Sequence, residues 1–251
     1  MSGKRTAFVT GASYGAGAAT ALALAHDGFD VAVSATSAAH VKATLAQIEA
    51  AGVRALPLVL DLRSSSSIER AMADVTSQFG HLDLLVNNAA TNLRKLAVDV
   101  TSQEWDEVMA TNLRGAFFLS QQIGRHLIAS GRPGTIVNVA STHGLLGAAE
   151  RSVYGISKGA LIQMTRMLAV EWAEHAIRVN AVVPGRLDTP SPARAARTSD
   201  PEYLNSMRAR IPLQRLTTVE EVAAAVRYLA SPQAASITGH TLVLDGGLTV
   251  A

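Results

Sequence analysis

TGASYGAG, residues 10 to 17, closes a short apolar run and opens a segment of helical spacing, with glycines at 11, 15 and 17. Such a turn lets the backbone come close to a pyrophosphate, and the open N–H groups of a helix start attract its charge. Three glycines by themselves fit an ordinary strand-to-helix turn about as well. Position shifts the reading toward a dinucleotide, because the turn follows the first strand of a βαβ series. The spacing is Gly-x3-Gly-x-Gly, not the Gly-x-Gly-x2-Gly of other nucleotide folds.

Outward from the turn the same alternation repeats. AFVT (7–10) leads into helical spacing over 15–28, VAVSA (31–35) into 38–51, and ALPLVLDL (55–62) into 65–79. LDLLVNNA (82–89), GTIVNVAS (134–141) and IRVNAVVPG (177–185) follow, separated by helical patterns over about 101–129 and 152–174. The strand candidates are almost continuously apolar, as strands are when helices cover both faces of a parallel sheet. The expected class is α/β, a doubly wound sheet in a single domain spanning 1–251, with ligands beyond the carboxyl ends of the strands. SSSS at 64–67 predicts an N-cap ahead of the 65–79 helix. Only 186–216 breaks the rhythm. A helix (218–230) and a strand (HTLVLDGG, 240–247) resume after it, so it is expected to be an irregular substrate lid.

Composition removes several classes. Twenty-two Lys and Arg against 20 Asp and Glu leave a net charge of +2, without the basic field that nucleic acid or a charged membrane surface requires. There is no cysteine, hence no disulfide framework and no thiolate ligand or nucleophile. The acidic residues show no metal-ligand spacing, so no metal is expected. The opening MSGKRTAFVTG is too brief an apolar run for a signal core or a span, and cytoplasm is the expected compartment.

Five motifs in register, TGASYGAG (10–17), NNAA (87–90), VNVAS (137–141), YGISK (154–158) and PGRLDT (184–189), resemble the classical short-chain dehydrogenase/reductase family over nearly the whole chain. The resemblance implies a Rossmann-type seven-stranded parallel sheet with three helices on each face, NAD or NADP as cofactor, and a homotetramer. It implies that Gly11, Ser13, Tyr14, Gly15, Ala16 and Gly17 line the dinucleotide. Ala35 stands where NAD-specific relatives carry Asp, and Thr36 follows with a hydroxyl able to donate to a phosphate, so NADP is preferred, with NAD as the second option. Tyr14 stands where NADP users often place Arg. Asp61 matches the acid that accepts from the adenine amino group, with Leu62 beside it; spacing alone reads Asp61 equally well as a turn residue. Asn88, with Asn87, matches the chain passing the cofactor ribose. Ala90 replaces the usual Gly there, a methyl that shifts the cofactor or forbids a backbone angle if the site needs φ above zero. Pro184 and Gly185 would aim the backbone at the nicotinamide, and Leu187 and Thr189 would touch its carboxamide and phosphate.

Tyr154 and Lys158 lie i and i+4 on the 152–174 segment and share a face. That segment carries apolar Val153, Ile156, Ala160, Met164, Met167 and Leu168, which the spacing turns toward the sheet. A free phenol has a pKa near 10, and a cation about 5 Å away at an effective dielectric of about 20 is worth roughly 3 kcal/mol, or about two pKa units, toward phenolate. By resemblance Tyr154 is the general acid or base, Lys158 tunes it and holds the ribose, and Ser141 donates to the substrate oxygen. Asn112 bends its helix and holds a water that links Lys158 to solvent. Taken singly, these residues read as a solvated pair, a strand-end cap and a helix kink.

The implied activity is hydride exchange between nicotinamide and a ketone or secondary alcohol, with 3-oxoacyl thioesters or generic carbonyls as first substrate class. ATS at 35–37 carries that resemblance, and Arg132, with His175 as the weaker candidate, would serve carrier docking. NNAATNLRK (87–95) instead resembles members acting on sugar acids and polyols. A dinucleotide-binding sensor without chemistry is the third reading. His143, two residues beyond Ser141, is within reach of a substrate, though a lone loop histidine reads more readily as solvated.

Overall fold

The computed structural model describes residues 4–188 and 200–251. Seven strands, β1 (Thr6–Thr10), β2 (Asp30–Ala35), β3 (Ala55–Val59), β4 (Leu84–Asn87), β5 (Gly134–Val139), β6 (Ile177–Pro184) and β9 (Thr241–Leu244), form one parallel sheet in the order β3-β2-β1-β4-β5-β6-β9. The chain runs outward from β1 to β3, then returns across β1 to build the other half. The order therefore reverses between β1 and β4, and a crevice opens above their carboxyl ends.

Every residue of β1, β2 and β4 is buried, which is why their sequences read as mostly apolar runs. On one face α3 (Ser65–Phe79), α5 (Ala116–Ser130) and α6 (Ser152–Glu171) pack Ile68, Leu119, Ile123 and Leu161 against Phe8, Leu85 and Ile136. On the other, α1 (Gly15–His26), α2 (Lys42–Ala50) and α8 (Val219–Ala230) pack Leu24, Ile48 and Val226 against Val9, Val31 and Val137. Each such fully buried side chain contributes about 1.5–3 kcal/mol. Pro57 in β3 has no N–H to give a ladder, and β3 is an edge strand.

Ser64 caps α3 as the sequence predicts, its Oγ accepting from the Ser67 N–H at 3.3 Å. The 101–129 segment is not one helix. It begins as α4 (Ser102–Met109), opened by a reciprocal Thr101–Glu104 capping box, widens into a π turn over Ala110–Gly115, and resumes as α5. In α6 the expected core face is only partly right. Val153, Met164 and Leu168 are buried, but Ile156 and Met167 are 49% and 53% exposed, because the helix rests on the sheet along Leu161, Thr165 and Leu168 instead.

The break in rhythm at 186–216 has tied ends. Leu187–Asp188 (β7) pairs in parallel with Thr217–Thr218 (β8), and α7 (Pro201–Arg208) lies between them. Thr189 lies outside the described residues.

Candidate active site

The glycine turn is built to hold a backbone closer than a side chain allows. Gly11 has φ of +65°, and a Cβ there would stand 2.7 Å from Ala89 Cα. A Cβ on Gly17 would press into the Gly11 carbonyl oxygen and, at 2.5 Å, into Asn88 Nδ2. Asn88 does not reach into the crevice with its amide; Nδ2 donates to the Thr10 and Gly11 carbonyls at 2.9 and 3.0 Å and locks the turn. Thr10 Oγ1 accepts from the Asn88 and Ala89 N–H groups, joining β1 to β4 across the switch point. Above this cradle the first turn of α1 presents its N–H groups, and Tyr14, its N-cap, is 53% exposed. Ser13 and Ala16 belong to the same turn. The glycines let the turn pack tightly on Ala89 and Asn88, and the arrangement fits a dinucleotide pyrophosphate because the open N–H groups of the first turn of α1 attract its charge.

At the end of β2, Ala35 is buried and Thr36 is exposed, followed by Ser37, whose Oγ accepts from the Ala39 N–H. Asp61 is held by Arg63 through two contacts of 2.9 Å, which keep its carboxyl below the usual range. Leu62 is buried in the core, with its carbonyl and Cβ packed against Gly115. Ala90 has no positive φ, so the methyl expected to cause trouble sits in ordinary backbone. Pro184 ends β6, Gly185 N donates to Leu244 O at 2.8 Å, and Leu187 is partly buried in β7.

Ser141 follows the carboxyl end of β5, and Lys158 reaches that end from α6, one turn beyond Tyr154. Ser141 accepts from the His143 N–H at 3.2 Å, so its hydroxyl proton remains to be donated elsewhere. The short turn Thr142–Gly144 packs directly onto α6: a Cβ on Gly155 would stand 2.8 Å from the His143 carbonyl oxygen, and one on Gly144 2.8 Å from the Lys158 carbonyl carbon. His143 is not a solvated loop residue; its ring stands edge-on to Tyr154 at 6.0 Å. Lys158 is 2% exposed, its Nζ donating to Val139 O at 2.7 Å and lying 5.9 Å from the Tyr154 ring centre. Burial lowers its pKa to about 8.

Asn112 sits inside the π turn, and its side chain is fully committed. Nδ2 donates to Thr91 O at 2.9 Å and to Ser157 Oγ at 3.0 Å, while Oδ1 accepts from Thr91 N at 2.7 Å. Ser157 Oγ in turn donates to Tyr154 O at 2.8 Å. Thr10, Thr91 and Ser157 were not singled out by the sequence. The signal for Ser157 was present, three residues after Tyr154, where a hydroxyl reaches back to a helical carbonyl.

A family model described as enoyl-(acyl carrier protein) reductase matches residues 11–249. The 2-dehydro-3-deoxy-D-gluconate 5-dehydrogenase of Escherichia coli (strain K12) is 35% identical over 97% of this chain and 94% of its own length. The chain belongs to the classical short-chain dehydrogenase/reductase family. Like the members it resembles, it is an oxidoreductase. A gluconate 5-dehydrogenase from Burkholderia cenocepacia J2315, solved in complex with NADP and tartrate, is 28% identical with a TM-score of 0.92, covering 99% of this chain and 96% of that one. An NAD+-bound xylitol dehydrogenase is 29% identical with the same TM-score, 0.92, covering 98% of this chain and 99% of that one.

Within this short-chain dehydrogenase/reductase, the two carrier-docking candidates lie away from the chemistry. Arg132 and His175 precede β5 and β6, at the opposite end of the sheet from Tyr154, and Arg132 is paired with Asp83 at 3.1 Å. Among the described residues no cluster of His, Asp or Glu could hold a metal, and no helix is long and apolar enough to cross a membrane.

Proposed function

We propose that this protein exchanges a hydride between a nicotinamide dinucleotide, preferentially NADP, and a secondary alcohol or ketone on a small sugar acid. One observation supports the chemistry: the buried Lys158 ammonium lies 5.9 Å from the Tyr154 ring centre and is held on Val139 O, at the end of the strand that leads to Ser141. The dinucleotide would be held by the turn Gly11–Gly17, by Thr36 and Asp61, by Asn88 indirectly, and by Lys158 and the segment from Pro184 to Leu187. Thr189 is proposed for the same role. When bound, the nicotinamide supplies or takes the hydride.

Tyr154 gives its phenolic proton to the substrate oxygen in reduction and removes it in oxidation. Lys158 is positioned to favour phenolate by charge, and its contact with Val139 O fixes where that charge stands. Ser141 donates to the same substrate oxygen, lowering the energy of the charge that develops there. Asn112 acts through the π turn. With its amide committed to Thr91 and Ser157, a water leading from Lys158 would be held by backbone carbonyls that the widened turn releases, not by the side chain.

Absence of an acid at 35–37 and the exposed Thr36 hydroxyl support NADP. The sugar-acid class is supported by the name of the 35% identical relative and by the distance of Arg132 and His175 from the site, which weakens the acyl-carrier reading. Assembly with further copies is supported by the outward apolar stripe on α6, and a tetramer is the number the family resemblance implies.

The test is nicotinamide absorbance with gluconate-type acids, polyols and 3-oxoacyl thioesters, each with NADP and NAD. Turnover of acids with NADP is expected; turnover of thioesters alone would reverse the substrate ranking. Tyr154→Phe should lower kcat by about 10²–10⁴ while dinucleotide binding persists. A protein unchanged by that substitution would be a sensor.

A further inference from the structure

Three successive carbonyls at the glycine turn are claimed by side chains from elsewhere in the chain. Asn88 Nδ2 takes those of Thr10 and Gly11, and Thr44 Oγ1 donates to that of Ala12 at 2.8 Å, across 32 residues. Thr44 belongs to none of the motifs above. It sits in the first turn of α2, 3% exposed, one turn before the buried Ile48 that packs this helix on the sheet. A threonine inside a helix can spend its hydroxyl on a carbonyl of its own helix. Thr76 donates to Met72 O and Thr165 to Leu161 O in that way, at 2.9 Å each. Thr44 reaches out of its helix instead, to the next carbonyl after the two that Asn88 holds.

The consequence lies in the peptide plane. No peptide bond among the described residues is cis, so the Ala12 carbonyl and the Ser13 N–H point in opposite directions. Ala12 is held on its other side as well, its N–H donating to Ser34 O at 3.0 Å. With its oxygen drawn to α2, the Ala12–Ser13 peptide turns its N–H away from α2, immediately ahead of the open N–H groups of α1. A carbonyl oxygen carries partial negative charge and repels a phosphate, whereas successive N–H groups attract one. We propose that Thr44 is a positioning residue for the cofactor, keeping the Ala12 carbonyl off the pyrophosphate and turning the Ser13 N–H toward it. This role rests on the dinucleotide reading of the same turn. It places the choice between an attracting and a repelling peptide on a buried hydroxyl of the neighbouring helix, which itself has no contact with the ligand.

The experiment measures binding by calorimetry in the wild type, Thr44→Val, which keeps the shape and loses the hydroxyl, and Thr44→Ser, which keeps the hydroxyl. The ligands are NADP and NAD, and, as probes without a pyrophosphate, adenosine 2′-monophosphate and adenosine. Thr44→Val is expected to weaken both dinucleotides by about three- to tenfold, the worth of one hydrogen bond, and to leave both probes unchanged. Thr44→Ser should bind all four as the wild type does. Should Thr44→Val not fold, Thr44→Cys, whose thiol is a far weaker donor, carries the same expectation. Dinucleotide affinities equal to the wild type in the variant lacking the hydroxyl would overturn the proposal. So would an equal loss on all four ligands, which would leave Thr44 as a brace for the fold around β2. A wild type that binds neither NADP nor NAD would sink the dinucleotide reading itself.

Discussion

Lys158 is costly to the fold, and the proposed chemistry requires it. Burial drops its pKa from an ordinary 10.5 to about 8, and at pH 7 the charged form is kept at a cost of about 3 kcal/mol. The unfolded chain binds this proton more tightly than the folded one, so folding stability rises as pH climbs from about 8 towards 10.5 and the native ammonium discharges first. Lys158→Met should therefore be more stable than the wild type at pH 7, and the difference should shrink over that window. Urea unfolding at pH 7, 9 and 10 checks it; a variant less stable at pH 7 would mean that the bond to Val139 O outweighs desolvation. Catalysis should run the other way, with wild-type turnover falling as Lys158 loses its proton above about pH 8. The sequence made the Tyr154–Lys158 pair legible through i, i+4 spacing. It could not show that the ammonium is buried, because that depends on Val139 and on the β5 carboxyl end.

At the scale of elements, the site exists because the turn Thr142–Gly144 and the first turns of α6 touch backbone to backbone. Gly155 permits that approach, with the His143 carbonyl where a side chain would begin. Gly155→Val has to push the turn and helix apart, and a displacement near 1 Å between Ser141 and Tyr154 is enough to cost about a hundredfold in kcat. Dinucleotide binding, which depends on the distant glycine turn, should survive; stopped-flow measurement of the hydride step alongside cofactor titration separates the two. The π turn of Ala110–Gly115 tells the same story about prediction. Apolar spacing over 101–129 announced a helix, but the extra residue that widens it leaves periodicity nearly intact, and only the placement of Asn112 between Thr91 and Ser157 reveals it.

For the molecule as a whole, α6 leaves Ile156, Met167 and Val170 turned outward, the last 81% exposed. A stripe of that length on a helix otherwise buried against the sheet is better suited to another copy than to water. Val170→Glu is expected to shift the protein to smaller species by light scattering, with the secondary structure preserved; an unchanged mass would place any interface elsewhere. The pattern of apolar residues had suggested that Ile156 and Met167 belong to the core, since helical spacing identifies two apolar faces as readily as one and does not say which the sheet will cover.

The sequence by itself determined the βα alternation, the glycine turn and the order of the candidate catalytic motifs, because each is written in local spacing and in residue types that chemistry restricts. Tertiary structure alone decided what those residues can reach. Asn88 braces the glycine turn, Asn112 reaches Ser157 across 45 residues, and Arg151 meets Asn92 across a gap of 59 residues. Contacts of that kind form between segments far apart in the chain, and a pattern of neighbouring residues holds no record of the distances between them.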